Sequence, residues 1–222
     1  IPEAVLDDSN YDIWGEVRPR VVEAFGKVID GAVIFDINKP STWRDGIVTT
    51  ATDAEAVVTL DDDLYDSIMG ENGVIAKVEE SGYFVNGHMA DISMRAKLRG
   101  LRDSTGNPIF KSDMQGGTSY SLDGSPMTFP RNGAFDKSKA LMISGDFSQL
   151  VYAIRQDITF KLLDQAVIQD PSTDEIVYNL AQNDMVALRA VMRLGWEIPN
   201  PINSIQPDAE SRCPFAILKA GA

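Results

Sequence analysis

The sequence predicts an α+β fold, with helices and antiparallel strands sharing one chain path and a discontinuous second lobe. Three observations lead there. Apolar residues recur at helical intervals over residues 13–32. Two apolar runs free of Gly and Pro, 150–163 and 215–218, read as strands. Turn clusters such as Asp103-Ser104-Thr105-Gly106-Asn107-Pro108 punctuate the chain between them.

In chain order, Ser9-Asn10-Tyr11-Asp12 has the spacing of a capping box. The helix that follows aligns Ile13, Trp14, Val17, Val21, Phe25, Val28, Ile29 and Ala32. Pro19 falls inside that pattern, where a proline costs about 3 kcal/mol, so one long bent helix ending by Asp36 is expected. Asp61, Asp62 and Asp63 ahead of Leu64 and Ile68 read as an acid-rich helix start, broken by Gly70 and Gly73. A short helix over 74–81 and a strand Tyr83-Phe84-Val85 come next. Asn86 is then read as the cap of a helix over 87–101, with Asp91 and Arg95 paired one turn apart. Strands are expected at 118–122, 126–129 and 141–144. After the long strand 150–163, a helix is read over 184–194 with Gly195 as its terminating residue, and the strand 215–218 closes the chain.

Composition narrows the function. The net charge of −13, from 33 acidic and 20 basic residues, argues against tight, sequence-independent nucleic-acid binding, which depends on Lys and Arg neutralising phosphates. The acids are clustered: eight lie between Arg44 and Lys77 with no basic residue among them. Residues 162–188 are also free of basic residues, while Arg95, Lys97, Arg99 and Arg102 form a positive cluster. Cys213, the single cysteine, excludes an internal disulfide and a cysteine zinc site, and its apolar surroundings predict a buried thiol. No stretch has the length and apolarity of a membrane helix, so no membrane partner is expected.

No residue pattern demands catalysis. His88, the only histidine, reads as an exposed ring in a capping turn rather than a general base working with Asp91 or Ser93. Three adjacent aspartates do not converge on one cation, so Asp61, Asp62 and Asp63 read as a helix terminus. Gly116-Gly117-Thr118-Ser119 lacks the Gly-Lys-Ser/Thr ending of a phosphate loop, and Gly145-Asp146-Phe147-Ser148 is not a nucleophile elbow. Arg189 and Arg193 are placed on one helix face and need acids from this chain or a neighbour.

Four segments, in order, resemble the major capsid proteins of tailed bacteriophages. The first is Leu6-Asp7-Asp8-Ser9 followed by the long helix with Trp14 and Ile34, similar to the family's spine helix. The second runs from Tyr83-Phe84-Val85-Asn86 to the turn Asp103 through Phe110. The third is Leu122-Asp123-Gly124-Ser125-Pro126-Met127. The fourth runs from Ile143-Ser144-Gly145-Asp146-Phe147-Ser148 through Arg155-Gln156-Asp157-Ile158 to Leu194-Gly195, and the strand ending in Lys219 matches the family's close.

The resemblance implies a Hong Kong 97-type capsid fold with a long spine helix, an axial lobe and a discontinuous peripheral lobe. On that basis residues 1–45 are expected to form the spine helix and first part of the peripheral lobe, and 46–145 the axial lobe. Residues 146–195 would complete the peripheral lobe, and 196–222 would return a strand to the axial lobe. The implied function is a non-enzymatic major capsid protein of a phage or prophage. It would self-assemble through pentamers and hexamers into an icosahedral shell around double-stranded DNA that it does not bind specifically. Scaffold, protease and portal proteins are the further partners, and the location is the virion, after assembly in the bacterial cytoplasm. Because the sequence opens on Ile1 rather than Met, an upstream segment holding the family's arm and extended loop is expected. Some members cross-link through a Lys-Asn isopeptide bond, but no matching arrangement is recognised here, so no catalytic, cofactor or metal residue is carried over. Arg155, Asp157, Arg189 and Arg193 are the candidate assembly contacts. Two other readings are an encapsulin-like bacterial compartment shell and, in a different class, a small acid-dependent hydrolase using Asp146 or Asp157.

Overall fold

The computed structural model describes residues 1–8, 10–61, 63–102, 105–107 and 120–221. The chain divides into two compact units. The smaller comprises Ile1–Phe25 and Tyr152–Gly195, and the larger Gly26–Val151 and Trp196–Ala222.

Helix α1 (Glu3–Asp8) precedes α2 (Ile13–Phe35), whose 23 residues make a helix about 35 Å long. Ser9 lies outside the described residues, and it is Asp12 that caps α2, accepting a hydrogen bond from the Gly15 amide at 2.9 Å. Pro19 stays inside α2 on its exposed side, where water can satisfy the Gly15 carbonyl that the proline leaves without a helical donor. Asp36 ends the helix in the left-handed region, at φ 61°. Its carboxylate accepts from the Gly46 amide and the Thr49 hydroxyl, both at 2.7 Å, and pairs with Lys39 at 3.0 Å. Burial alone would raise its pKa, but these donors outweigh it and hold the carboxyl below the ordinary 3.8.

The larger unit continues through α3 (Ile47–Asp53), β1 (Val57–Thr59), α4 (Leu64–Met69) and α5 (Val74–Glu80). Asp63 starts α4 by accepting from the Tyr65 and Asp66 amides; Asp62 lies outside the described residues. The segment 87–101 departs from the expected single helix. Residues 83–86 form no strand, β2 (Gly87–Ala90) is a strand, and only α6 (Met94–Gly100) is helical. Asn86 does not cap a helix here, because its amide is engaged by Asp146 and Phe147. The turn into α6 is made instead by Asp91, which accepts from the Ser93 amide at 2.9 Å. Next come β3 (Ser121–Leu122) and β4 (Ser125–Thr128), joined through Asp123 and Gly124 at φ 47° and 74°, and then β5 (Met142–Gly145). Asp103, Ser104 and residues 108–119, which include the expected turn to Phe110 and Gly116-Gly117-Thr118-Ser119, lie outside the described residues.

The chain then forms β6 (Val151–Leu163), β7 (Val167–Gln169), β8 (Ile176–Asn179), β9 (Ala187–Glu197) and β10 (Phe215–Lys219). The expected helix over 184–194 is therefore a strand, and Gly195 sits inside it. Ala, Leu, Arg and Met favour helices locally, but pairing with β6 overrides that preference.

Six strands of the larger unit form one mixed sheet in the order β1-β10-β5-β2-β4-β3. β10 pairs parallel to β1 and antiparallel to β5, so it lies inside the sheet. Phe215, Ala216, Ile217 and Leu218 are all buried, which explains a continuous apolar run with no polar alternation. Around them Phe35, Ile68, Val74, Val78, Met94, Leu98, Met142 and Ile143 complete the core. The smaller unit contains the ribbon β6–β9 and the antiparallel hairpin β7–β8.

Candidate functional site

The Gly145-Asp146-Phe147-Ser148 motif has a structural explanation. Gly145 ends β5 opposite both Gly87 and Phe215. A Cβ at Gly145 would lie 2.4 Å from the Pro214 carbonyl oxygen and 2.5 Å from the Phe215 ring, so only glycine allows this approach. Asp146 then caps a 3-10 turn, Phe147–Gln149, and accepts from the Asn86 side-chain amide at 2.5 Å and the Ser148 hydroxyl at 2.6 Å. Phe147 packs edge-on against Phe215, with ring centroids 5.3 Å apart. The motif thus locks the strand end where the chain leaves the sheet for β6.

His88 is not the exposed ring expected in a capping turn: it lies on β2 and is 2% exposed. The Leu122 carbonyl can only accept, so the Nε2–H of His88 donates to it at 3.1 Å. Nδ1 is then left to accept from the Ser144 hydroxyl at 2.8 Å. Burial lowers its pKa from the ordinary 6.5, against the opposite pull of the Leu122 carbonyl and the Asp123 charge. The ring is a satisfied core group with no room for a substrate. Cys213 is buried, and burial pushes its thiol up to about 11. Among the described residues no group of three or more His, Cys, Asp or Glu is placed to hold a metal ion. No described helix is long and apolar enough to cross a membrane.

The smaller unit holds one open, mainly apolar cavity of about 400 Å³ between Trp14, Tyr178, Leu180 and Val186, and otherwise presents a strand surface. Along β6, Gln156, Ile158 and Phe160 are half-buried, while Arg155, Asp157, Thr159 and Lys161 are exposed, as a period of two requires. Arg155 and Asp157 therefore share one face of β6. Arg189 and Arg193 are exposed on one face of β9, the strand analogue of the helix face expected for them. The Thr159 hydroxyl donates to the Val191 carbonyl across the pair at 3.3 Å. Among the described residues none of these four charged side chains has an ion-pair partner. Large apolar side chains are exposed nearby on the same unit: Tyr152 is 69% and Ile176 62% exposed, with Ile154, Leu162, Val167 and Val177 also open to solvent. The apolar exposure of this unit had no local signal, because alternation in a strand looks the same whether a face meets the chain's own core or another molecule.

A family model described as the phage capsid family matches residues 1–207. The major capsid protein of Staphylococcus phage 80alpha is 28% identical over 199 residues, covering 89% of this chain and 58% of the relative. The chain thus spans somewhat over half the length of that curated relative. A solved chain from Microbacterium phage Oxtober96 superposes on all of this chain and 70% of its own length, with TM-score 0.82 and 31% identity. One from Mycobacterium phage Cain does so with TM-score 0.80 and 30% identity, over 100% of this chain and 70% of that one. The α+β, Hong Kong 97-type fold expected from the sequence is the fold the structure has. With the match running from Ile1 through most of the larger unit, this chain belongs to the phage capsid family.

Proposed function

We propose that this chain is the shell-forming part of a phage major capsid protein, which works by assembling with copies of itself and not by catalysis. The observation that carries this reading is the family match over residues 1–207, together with a structure in which the motif at 145–148 packs and caps a strand end. In this reading residues 46–145, joined by the strand in 196–222, are the axial lobe and lie within the larger unit, and residues 1–45 and 146–195 are the spine helix and peripheral lobe, which include the smaller unit. Arg155, Asp157, Arg189 and Arg193 make contacts between neighbouring copies, and many weak interfaces summed over a closed shell supply the stability. Pentamers and hexamers, scaffold, protease and portal partners, and assembly in the bacterial cytoplasm belong to the same proposal.

The hydrolase reading loses support from the two carboxylates it relied on. Asp146 is engaged by Asn86, Ser148 and Gln149, and Asp157 accepts from its neighbouring Ile158 amide on an open strand. A compartment shell differs from a phage shell by its contents. Sedimentation velocity of the uninterrupted gene product tests assembly, and the material inside the particles tests the kind of shell. Discrete species the size of rings or shells are expected. A single slow species at every protein and salt concentration would contradict assembly, and a packaged protein with no DNA would favour the compartment.

A further inference from the structure

Among the described residues the sheet of the larger unit ends in two edge strands, and the residues beside them carry opposite charge. At one end β1 pairs only with β10, and the chain leaving it places Asp61, Asp63, Asp66 and Glu71 around an open groove of about 430 Å³, which Thr59 also lines. These four carboxylates are exposed, and Lys219 stands in register with Thr59, which lines the same groove. At the other end, among the described strands, β3 pairs only with β4. Arg95 of α6 lies over the Tyr120 ring at 4.6 Å and the Phe129 ring at 5.8 Å, and it also donates to the Tyr120 hydroxyl. Those contacts fix α6 beside the β3–β4 hairpin. Lys97, Arg99 and Arg102 are exposed from there on, and among the described residues Arg99 and Arg102 donate to backbone carbonyls of α6 and its end.

Five strand spacings separate the edges, roughly 24 Å at about 4.8 Å each. That exceeds the Debye length of about 8 Å at physiological salt, so the two edges neither neutralise one another within a copy nor form ion pairs there. A two-fold contact of either edge with itself would set like charge against like. A head-to-tail contact sets acid against base, and repetition of a head-to-tail contact closes a ring. The groove beside β1 is wide enough to admit long cationic side chains, and α6 offers three.

We propose that the acidic β1 edge of one copy receives the basic α6 edge of the next, so that the charge asymmetry of one sheet sets the head-to-tail order of copies in a ring. The inference rests on the shell reading above, and its occupant is a second copy of this chain. Electrostatic matching of this kind governs orientation and association rate more than final affinity.

The test uses the uninterrupted gene product with one edge reversed at a time, K97E/R99E/R102E or D61K/D66K/E71K, leaving the α4 cap Asp63 in place. Ring formation is read by sedimentation and electron microscopy, and folding by circular dichroism and thermal melting. Each reversed chain is expected to lose ring association by about tenfold or more. An equimolar mixture of the two is expected to regain it, with even-numbered rings only, because the two kinds must alternate. Rings formed by either reversed chain alone as readily as by the unaltered chain would overturn the proposal and leave the shell reading standing. So would a mixture of folded variants that fails to recover. If a reversed chain does not fold, the unaltered chain still decides the matter. Its ring formation should weaken as salt rises from about 0.05 to about 0.5 M, and indifference to salt overturns the proposal. Loss of bound nucleic acid with rings intact after reversal of α6 would assign that edge to nucleic acid and also overturn it. Failure of the unaltered chain to assemble at all would defeat the shell reading itself.

Discussion

His88 is held neutral inside the larger unit by its two hydrogen bonds and its burial. Its folded pKa lies below the ordinary 6.5, so between those two values the unfolded chain binds the extra proton. The His88 contribution to stability is therefore present above pH 6.5 and is lost as pH falls toward the folded value. Denaturant unfolding at a series of pH values should show this slope. His88→Gln, which keeps a donor and an acceptor but does not titrate, should flatten it. His88→Ala should cost about 1–3 kcal/mol by leaving the Ser144 hydroxyl and Leu122 carbonyl without partners. Cys213 gives a second residue-scale test: with its pKa pushed up to about 11, the thiol should resist alkylation at pH 8 in the folded chain and react fully once unfolded. The burial of Cys213 was legible in its apolar run. That of His88 was not, because Asn86-Gly87 imitates a helix cap and the strands that cover the ring come from residues 121–128 and 142–145.

At the scale of elements, the junction of β5, β10 and the 3-10 turn depends on the absence of a side chain at Gly145. Gly145→Val should cost about 2–3 kcal/mol in unfolding free energy, since the added methyls meet the Pro214 carbonyl and the Phe215 ring. Continuous patterns were readable: α2 shows its period over six turns, and β10 shows the uninterrupted apolar run of a strand covered on both faces. The segments over 87–101 and 184–194 misled because their residues favour helix while their partners lie far away in sequence. The β9 assignment moves Arg189 and Arg193 from a helix to an exposed strand face without separating them. Replacing both with Glu should leave the melting temperature within a few degrees, since neither side chain is buried or, among the described residues, ion-paired, while lowering assembly yield several-fold in a sedimentation assay.

The two units of the molecule are unequally supplied with core. Of the described hydrophobic residues in the smaller unit only Leu180 and Val186 are buried, whereas the larger unit holds all the others. A unit so poor in buried apolar surface gains little stability from its own packing. The side chains it leaves open, Tyr152, Ile154, Leu162 and Ile176 among them, are what a neighbouring copy would cover. Charge bears on the same proposal: an excess of 13 negative charges disfavours association of separate copies, so oriented contacts between them would have to offset that repulsion. The most direct measurement of the central claim is electron microscopy of the uninterrupted gene product, purified under varied salt. The account predicts closed shells or capsomer rings built from many copies. Fields containing only single molecules under every condition would contradict it.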